Sequence, residues 1–89
     1  MNYDEFKQHL MKDLKGRLSG QYDSLVVDTL YVNKLQGESY DSISLQPHEG
    51  GIGASINATK LFHQYQAGTD YDAVLAIAEA IALDGLERL

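Results

Sequence analysis

The segment from Asn57 to Leu89 constrains the fold most, because it reads as two short helices with separate start and stop signals, joined through Gly68. Asn57 is placed to cap a helix over Ala58 to Ala67, on which Leu61, Phe62 and Tyr65 are the apolar residues. Gly68 supplies the left-handed residue that ends it. Thr69 is the predicted cap of the last helix, with Asp72 three positions on in the manner of a capping box. Asp84-Gly85 is its predicted stop, with Leu86 and Leu89 left on an extra turn. Val74, Ile77, Ala78 and Ile81 form the predicted inward stripe, broadened by Leu75 and Ala82. Helices this short bury their stripes only against a second layer, which the preceding chain must supply.

That chain changes pattern once. Tyr3, Phe6, Leu10, Leu14 and Leu18 recur at steps of three and four, predicting an amphipathic helix capped by Asn2. Asp4 and Glu5 complement the dipole in its first turn, Lys15 and Arg17 in its last, and Ser19-Gly20 is the predicted stop. From Tyr22 to Ile56 the residues become β-branched and alternating. Leu25 to Val32 reads as a strand with apolar residues on both faces, so periodicity leaves its inward face open. Asp41 to Gln46 alternates cleanly and places Ile43 and Leu45 inward. Pro47 to Gly51 is a predicted turn, and Ile52, Ala54 and Ile56 a short third strand. The expectation is α+β: α-β-β-β-α-α, with a three-stranded antiparallel sheet packed by helices in one domain over residues 1–89.

Charge narrows the partners. The chain of 89 residues carries a net −6, unevenly spread. From Leu18 onward three basic side chains face ten acidic ones, a net of −7, whereas Lys7, Lys12, Lys15 and Arg17 slightly outnumber the acids before them. Nucleic-acid binding needs a cationic footprint, so direct contact with DNA or RNA is disfavoured and a basic protein surface is the expected partner. Without cysteine there is neither a disulfide framework nor a thiolate metal site. The acidic opening residues do not read as a signal peptide. The most apolar run, Ala73 to Leu83, contains Glu79 and falls short of the ~20 residues of a membrane span. A cytoplasmic protein is expected, with no membrane partner.

No motif points to catalysis. Gly50-Gly51-Ile52-Gly53 does not lead into a helix and lacks the Lys-Ser/Thr of a phosphate loop, so it reads as a hairpin turn. His9, His48 and His63 have no partners at metal-ligand spacing. Asp70 with Asp72, and Asp4 with Glu5, stand where helix starts use acids. No cofactor, metal or catalytic residue is expected. The six tyrosines suit an interface, and Tyr31 and Tyr40 flank the first connector close to Asp28, Glu38 and Asp41. With Glu49, Asp70 and Asp72 in the later loops, these form the predicted protein-binding set.

Met1-Asn2-Tyr3 with Phe6, Asn33-Lys34, Ser42 to Leu45, Ala54 to Ala58, then Phe62, Tyr65 and Gly68 resemble a family of small Firmicutes proteins found among mobile-element genes. Ala54-Ser55 and Asn57-Ala58 stand where that family has Pro-Thr and Tyr-Leu. It has no assigned activity to transfer. In size, charge sign and element order the chain is also similar to compact acidic anti-CRISPR proteins that occupy the DNA-recognition groove of Cas9. This second resemblance implies an inhibitor that presents carboxylates to a nuclease groove. The rival expectation is a homodimer that buries Leu86, Leu89 and part of the sheet; a minimal enzyme around His63 ranks below both.

Overall fold

Asn2 begins the first helix with a reciprocal cap. Its Oδ1 accepts from the Glu5 N–H at 2.8 Å, and Glu5 Oε1 accepts from the Asn2 N–H at 3.3 Å. Helix α1 then runs Tyr3–Arg17 in a computed structural model that describes residues 1–18, 21–33, 35–47 and 53–87, without the side chains of 23, 31–33, 47, 86 and 87. Phe6, Leu10, Leu14 and Leu18 form one fully buried stripe, as their spacing predicts. The predicted stop at Ser19-Gly20 lies outside the described residues.

Strands β1 (Tyr22–Asn33), β2 (Glu38–Pro47) and β3 (Ala54–Asn57) form one antiparallel sheet in the order β1-β2-β3. Helices α2 (Ala58–Gln66) and α3 (Tyr71–Glu87) complete an α+β order of α-β-β-β-α-α. β1 and β2 are longer than their patterns suggest. Leu25 pairs with Leu45 and Val27 with Ile43, and Ile43 and Leu45 pair in turn with Ile56 and Ala54. These six share the face that meets the helices. The inward face of β1, left open by periodicity, is therefore the Leu25–Val27 face. Val26 and Leu30 stay 46% and 43% exposed on the other.

The α2–α3 junction is a Schellman motif. The Thr69 N–H donates to the Gln64 carbonyl and the Gly68 N–H to the Tyr65 carbonyl, with Gly68 at φ 111°. The cap of α3 falls one residue later than predicted: the Val74 N–H bonds to the Asp70 carbonyl, so Asp70 rather than Thr69 holds the N-cap position.

Two features of α3 differ from expectation for one reason. Val74, Leu75, Ala78 and Ala82 are buried, whereas Ile77 and Ile81 are 40% and 39% exposed. Gly85 does not end the helix; it lies within it, and a Cβ there would stand 2.5 Å from the Ala54 Cβ. Toward its end the inward face carries Ala78, Ala82 and Gly85, because at Gly85 the helix approaches β3 too closely for a larger residue. Gly85→Ala should cost roughly 1–2 kcal/mol, overpacking outweighing the helix-propensity gain. Thermal unfolding should show a drop of about 5–10 °C. A second substitution, Ala54→Gly, should restore part of the loss, and an unchanged melting temperature for Gly85→Ala would refute close packing as the reason for this glycine.

Candidate protein-binding surface

The β1–β2 hairpin extends past β3, which pairs only with Ser42 to Leu45. Along this extension Leu30 lies opposite Tyr40, Tyr31 opposite Ser39 and Asn33 opposite Glu38, with register shifts at Tyr22/Ser24 and Tyr31/Asn33. The outer face carries Val26, Asp28 and Leu30 on β1, Tyr40, Ser42 and Ser44 on β2, and Ser55 on β3. Asp28 is exposed between the two exposed apolar residues, and Glu38 is exposed at the start of β2. Val26, Asp28, Leu30 and Ser55 are open to solvent, whereas Tyr40 and Ser44 are half-buried and Ser42, in the middle of this face, is buried.

Asp41 belongs to the opposite face. Its side chain is only 15% exposed. It accepts from the Tyr3 hydroxyl at 2.6 Å, the Thr29 hydroxyl at 2.8 Å and the Lys7 ammonium at 3.2 Å. Its backbone N–H donates to Thr59 Oγ1 at 2.9 Å, and that hydroxyl lies 2.8 Å from the Tyr3 hydroxyl. Because Tyr3 gives its proton to Asp41, Thr59 is the donor in that last contact, and the ring of bonds closes. Lys7 also stacks 4.4 Å above the Tyr3 ring. The Asp41 carboxylate thus ties α1 and β1 to β2, its backbone N–H adds α2 through Thr59, and little of its charge faces outward.

The bonds from Tyr3 and Thr29, with help from Lys7, hold the Asp41 carboxyl below its usual range. Burial first, then the Asp41 bond, pushes the Tyr3 hydroxyl up to about 12. The signs are opposite. Asp41, depressed on folding, contributes stability above its unfolded value near ~3.9 and loses it as pH falls toward the folded value. Tyr3, raised on folding, contributes below about 10 and loses that contribution as pH rises toward about 12. Stability measured against pH should therefore fall at both ends, and Tyr3→Phe should flatten the alkaline fall. An alkaline limb unchanged in Tyr3→Phe would contradict the assignment.

The remaining predicted acids occupy a different place. Asp70 and Asp72 are exposed at the start of α3, where the neighbouring Tyr71 hydroxyl donates to Asp13 of α1 at 2.6 Å. Burial and this carboxylate raise the Tyr71 hydroxyl. Arg17, paired with Glu79 at 2.7 Å, moderates the local negative charge. The nine residues of α2, about 13 Å of helical rise, separate this junction from the Asn57 end of the sheet. The predicted set thus divides into Asp28, Glu38 and Tyr40 on the hairpin, Asp41 as an internal tie, and Asp70 with Asp72 at the helix junction. Glu49 and the side chain of Tyr31 lie outside the described residues, as do Leu89, the side chain of Leu86, most of the predicted turn from Pro47 to Gly51, and Ile52 of the predicted third strand.

His9 and His63 are exposed, His48 lies outside the description, and no group of three or more His, Cys, Asp or Glu among the described residues is placed to hold a metal. No described helix is long and apolar enough to cross a membrane. Compared with models of known families, with curated proteins and with solved structures, the chain shows no match. The resemblances above therefore rest on their residues and element order alone.

Proposed function

We propose that this chain is a non-catalytic acidic module that binds a basic protein surface through the outer face of the β1–β2 hairpin. In its sharpest form it is a phage or mobile-element inhibitor that occupies the nucleic-acid groove of a nuclease. The observation that carries the reading is Asp28, exposed between the exposed Val26 and Leu30 on the outer face of the sheet, with exposed Glu38 on the same hairpin. An apolar patch set among carboxylates suits a partner whose groove is lined by Arg and Lys, because charge steers the encounter and desolvated apolar area holds it.

The test is capture from bacterial lysate with the tagged protein at low and at about 0.5 M salt, where the screening length shrinks toward a few Å. The wild type should retain a basic nucleic-acid-binding protein and release it at high salt. Asp28→Lys with Glu38→Lys should abolish retention without lowering the melting temperature, since neither side chain has a structural partner in the hydrogen bonds and ion pairs described. Retention that survives both the salt and the charge reversal would overturn the reading.

One observation favours a second reading, a homo-oligomer. Ile77 and Ile81, one turn apart on α3, are exposed beside Ala73, Ala76 and Ala80, which are also exposed. If this stripe joins two copies, sedimentation will show a dimer that Ile77→Ser with Ile81→Ser dissociates.

A further inference from the structure

Among the described residues β1 is an edge strand, and between its two register shifts the run from Ser24 to Tyr31 pairs regularly with β2 on one side only. The other side offers backbone donors and acceptors along the length of a typical strand. Chains protect such edges with lysine, proline or covering segments, yet Asp28 is the only charged residue in this run. The second edge, β3, is four residues long and passes directly into α2, so it offers much less.

Helix α1 gives the β1 edge a roof. Met11, Lys12 and Lys15 line a shallow cleft with Ser24 and Leu25, of about 290 Å³. Met11 and Leu25 are half-buried against the core, while Lys12 and Lys15 are exposed. Of the α1 cations, Lys7 is held by Asp41 and Arg17 by Glu79, whereas Lys12 and Lys15 make no described ion pair. The cleft therefore has an apolar floor, two available cations at its rim and a strand edge alongside. Its charge is opposite to that of the rest of the chain.

We propose that this edge is a second binding site, which takes up an extended acidic segment of a partner protein as an added strand beside β1. The backbone of the segment completes the ladder from Ser24 to Tyr31. Its alternate apolar side chains turn under α1 to fill the space between Met11 and Leu25, and its carboxylates meet Lys12 and Lys15. The inference does not rest on the proposed outer-face function, since it uses the edge of β1 and the opposite charge.

The test uses the full chain and a short synthetic peptide of alternating valine and glutamate, with a valine–lysine peptide as control. Binding is followed by fluorescence anisotropy at low salt, and the site is located by amide hydrogen exchange. The expected result is binding of the acidic peptide alone, with slowed exchange at amides between Ser24 and Tyr31. Lys12→Glu with Lys15→Glu should weaken it by roughly tenfold or more while lowering the melting temperature by only a few degrees, since both side chains are exposed and only Lys15 loses a favourable place in the last turn of α1. Absence of binding at millimolar peptide, equal binding of the basic peptide, unaltered exchange along β1, or full affinity in the double variant would each overturn the proposal. So would β1 amides that gain protection with protein concentration in the absence of peptide, because a second copy would then occupy the edge.

Discussion

Phe6→Ala should be the most damaging single substitution among those considered, with an expected loss of roughly 3–5 kcal/mol. Phe6 has no solvent exposure, and its ring lies 5.2 Å from that of Phe62, 5.5 Å from Tyr65 and 6.1 Å edge-on from Tyr71. It is where α1 meets both C-terminal helices, so its removal opens a cavity bordered by three rings that are themselves fixed by other contacts. Tyr71 is tied to Asp13, and the Tyr3 ring packs tilted against Phe62 at 4.9 Å, which limits collapse into the space. A domain of this length has about 4–13 kcal/mol of total stability, so the variant should sit near the edge of folding. Denaturant unfolding measures the loss, and Phe6→Leu, which keeps most of the volume, should recover a large part of it. A cost below about 1 kcal/mol would mean that this junction is not the centre of the core.

Asp41→Ala should follow, with a loss of roughly 2–4 kcal/mol. The substitution removes the acceptor for two hydroxyls and an ammonium group, of which Lys7 keeps only the longer 3.7 Å contact with the exposed Asp4. Asp41→Asn keeps one acceptor but turns an amide N–H₂ toward donors, so it should retain only part of the stability. The more specific expectation concerns coupling. Tyr3→Phe should cost clearly less in the Asp41→Ala background than in the wild type, because the bond it deletes is already gone. A double-mutant cycle should give an interaction above ~0.5 kcal/mol. Additive costs would show that the short Tyr3–Asp41 contact does not hold the hairpin to α1. Because Asp41 serves this internal role, charge reversal there would confuse unfolding with lost binding, which is why Asp28 and Glu38 are the informative positions on the surface.

The sequence pattern reveals those parts of the structure that are periodic or locally signalled. The α1 stripe, the Asn2 and Asn57 caps, the Gly68 stop and the inward Ile43–Leu45 pair all follow from residues within a few positions of one another. Long-range packing is less legible. β1 has apolar residues on both faces, with Val26 and Leu30 exposed on the outer one, and only register with β2 shows which side is inward. Ile77 and Ile81 read as core because they recur at helical spacing with Val74 and Ala78, but the face turned toward the core toward the end of α3 is that of Ala78, Ala82 and Gly85. Asp41 reads as a surface acid because its partners, Tyr3, Lys7, Thr29 and Thr59, come from three other elements at separations no local motif records. The grouping of Asp28, Glu38 and Tyr40 is legible because one short connector joins the strands that hold them. The basic cleft under α1 is not, since it arises only where that helix crosses the β1 edge.

The account's central claim is that the outer face of the hairpin is the contact surface, and amide hydrogen exchange on the captured complex tests it most directly. The account predicts slowed exchange from Val26 to Leu30 and from Glu38 to Ser44, with α3 unchanged. Slowed exchange on α3 around Ile77 and Ile81, with the hairpin unaffected, would contradict it and assign the interface to the helical layer.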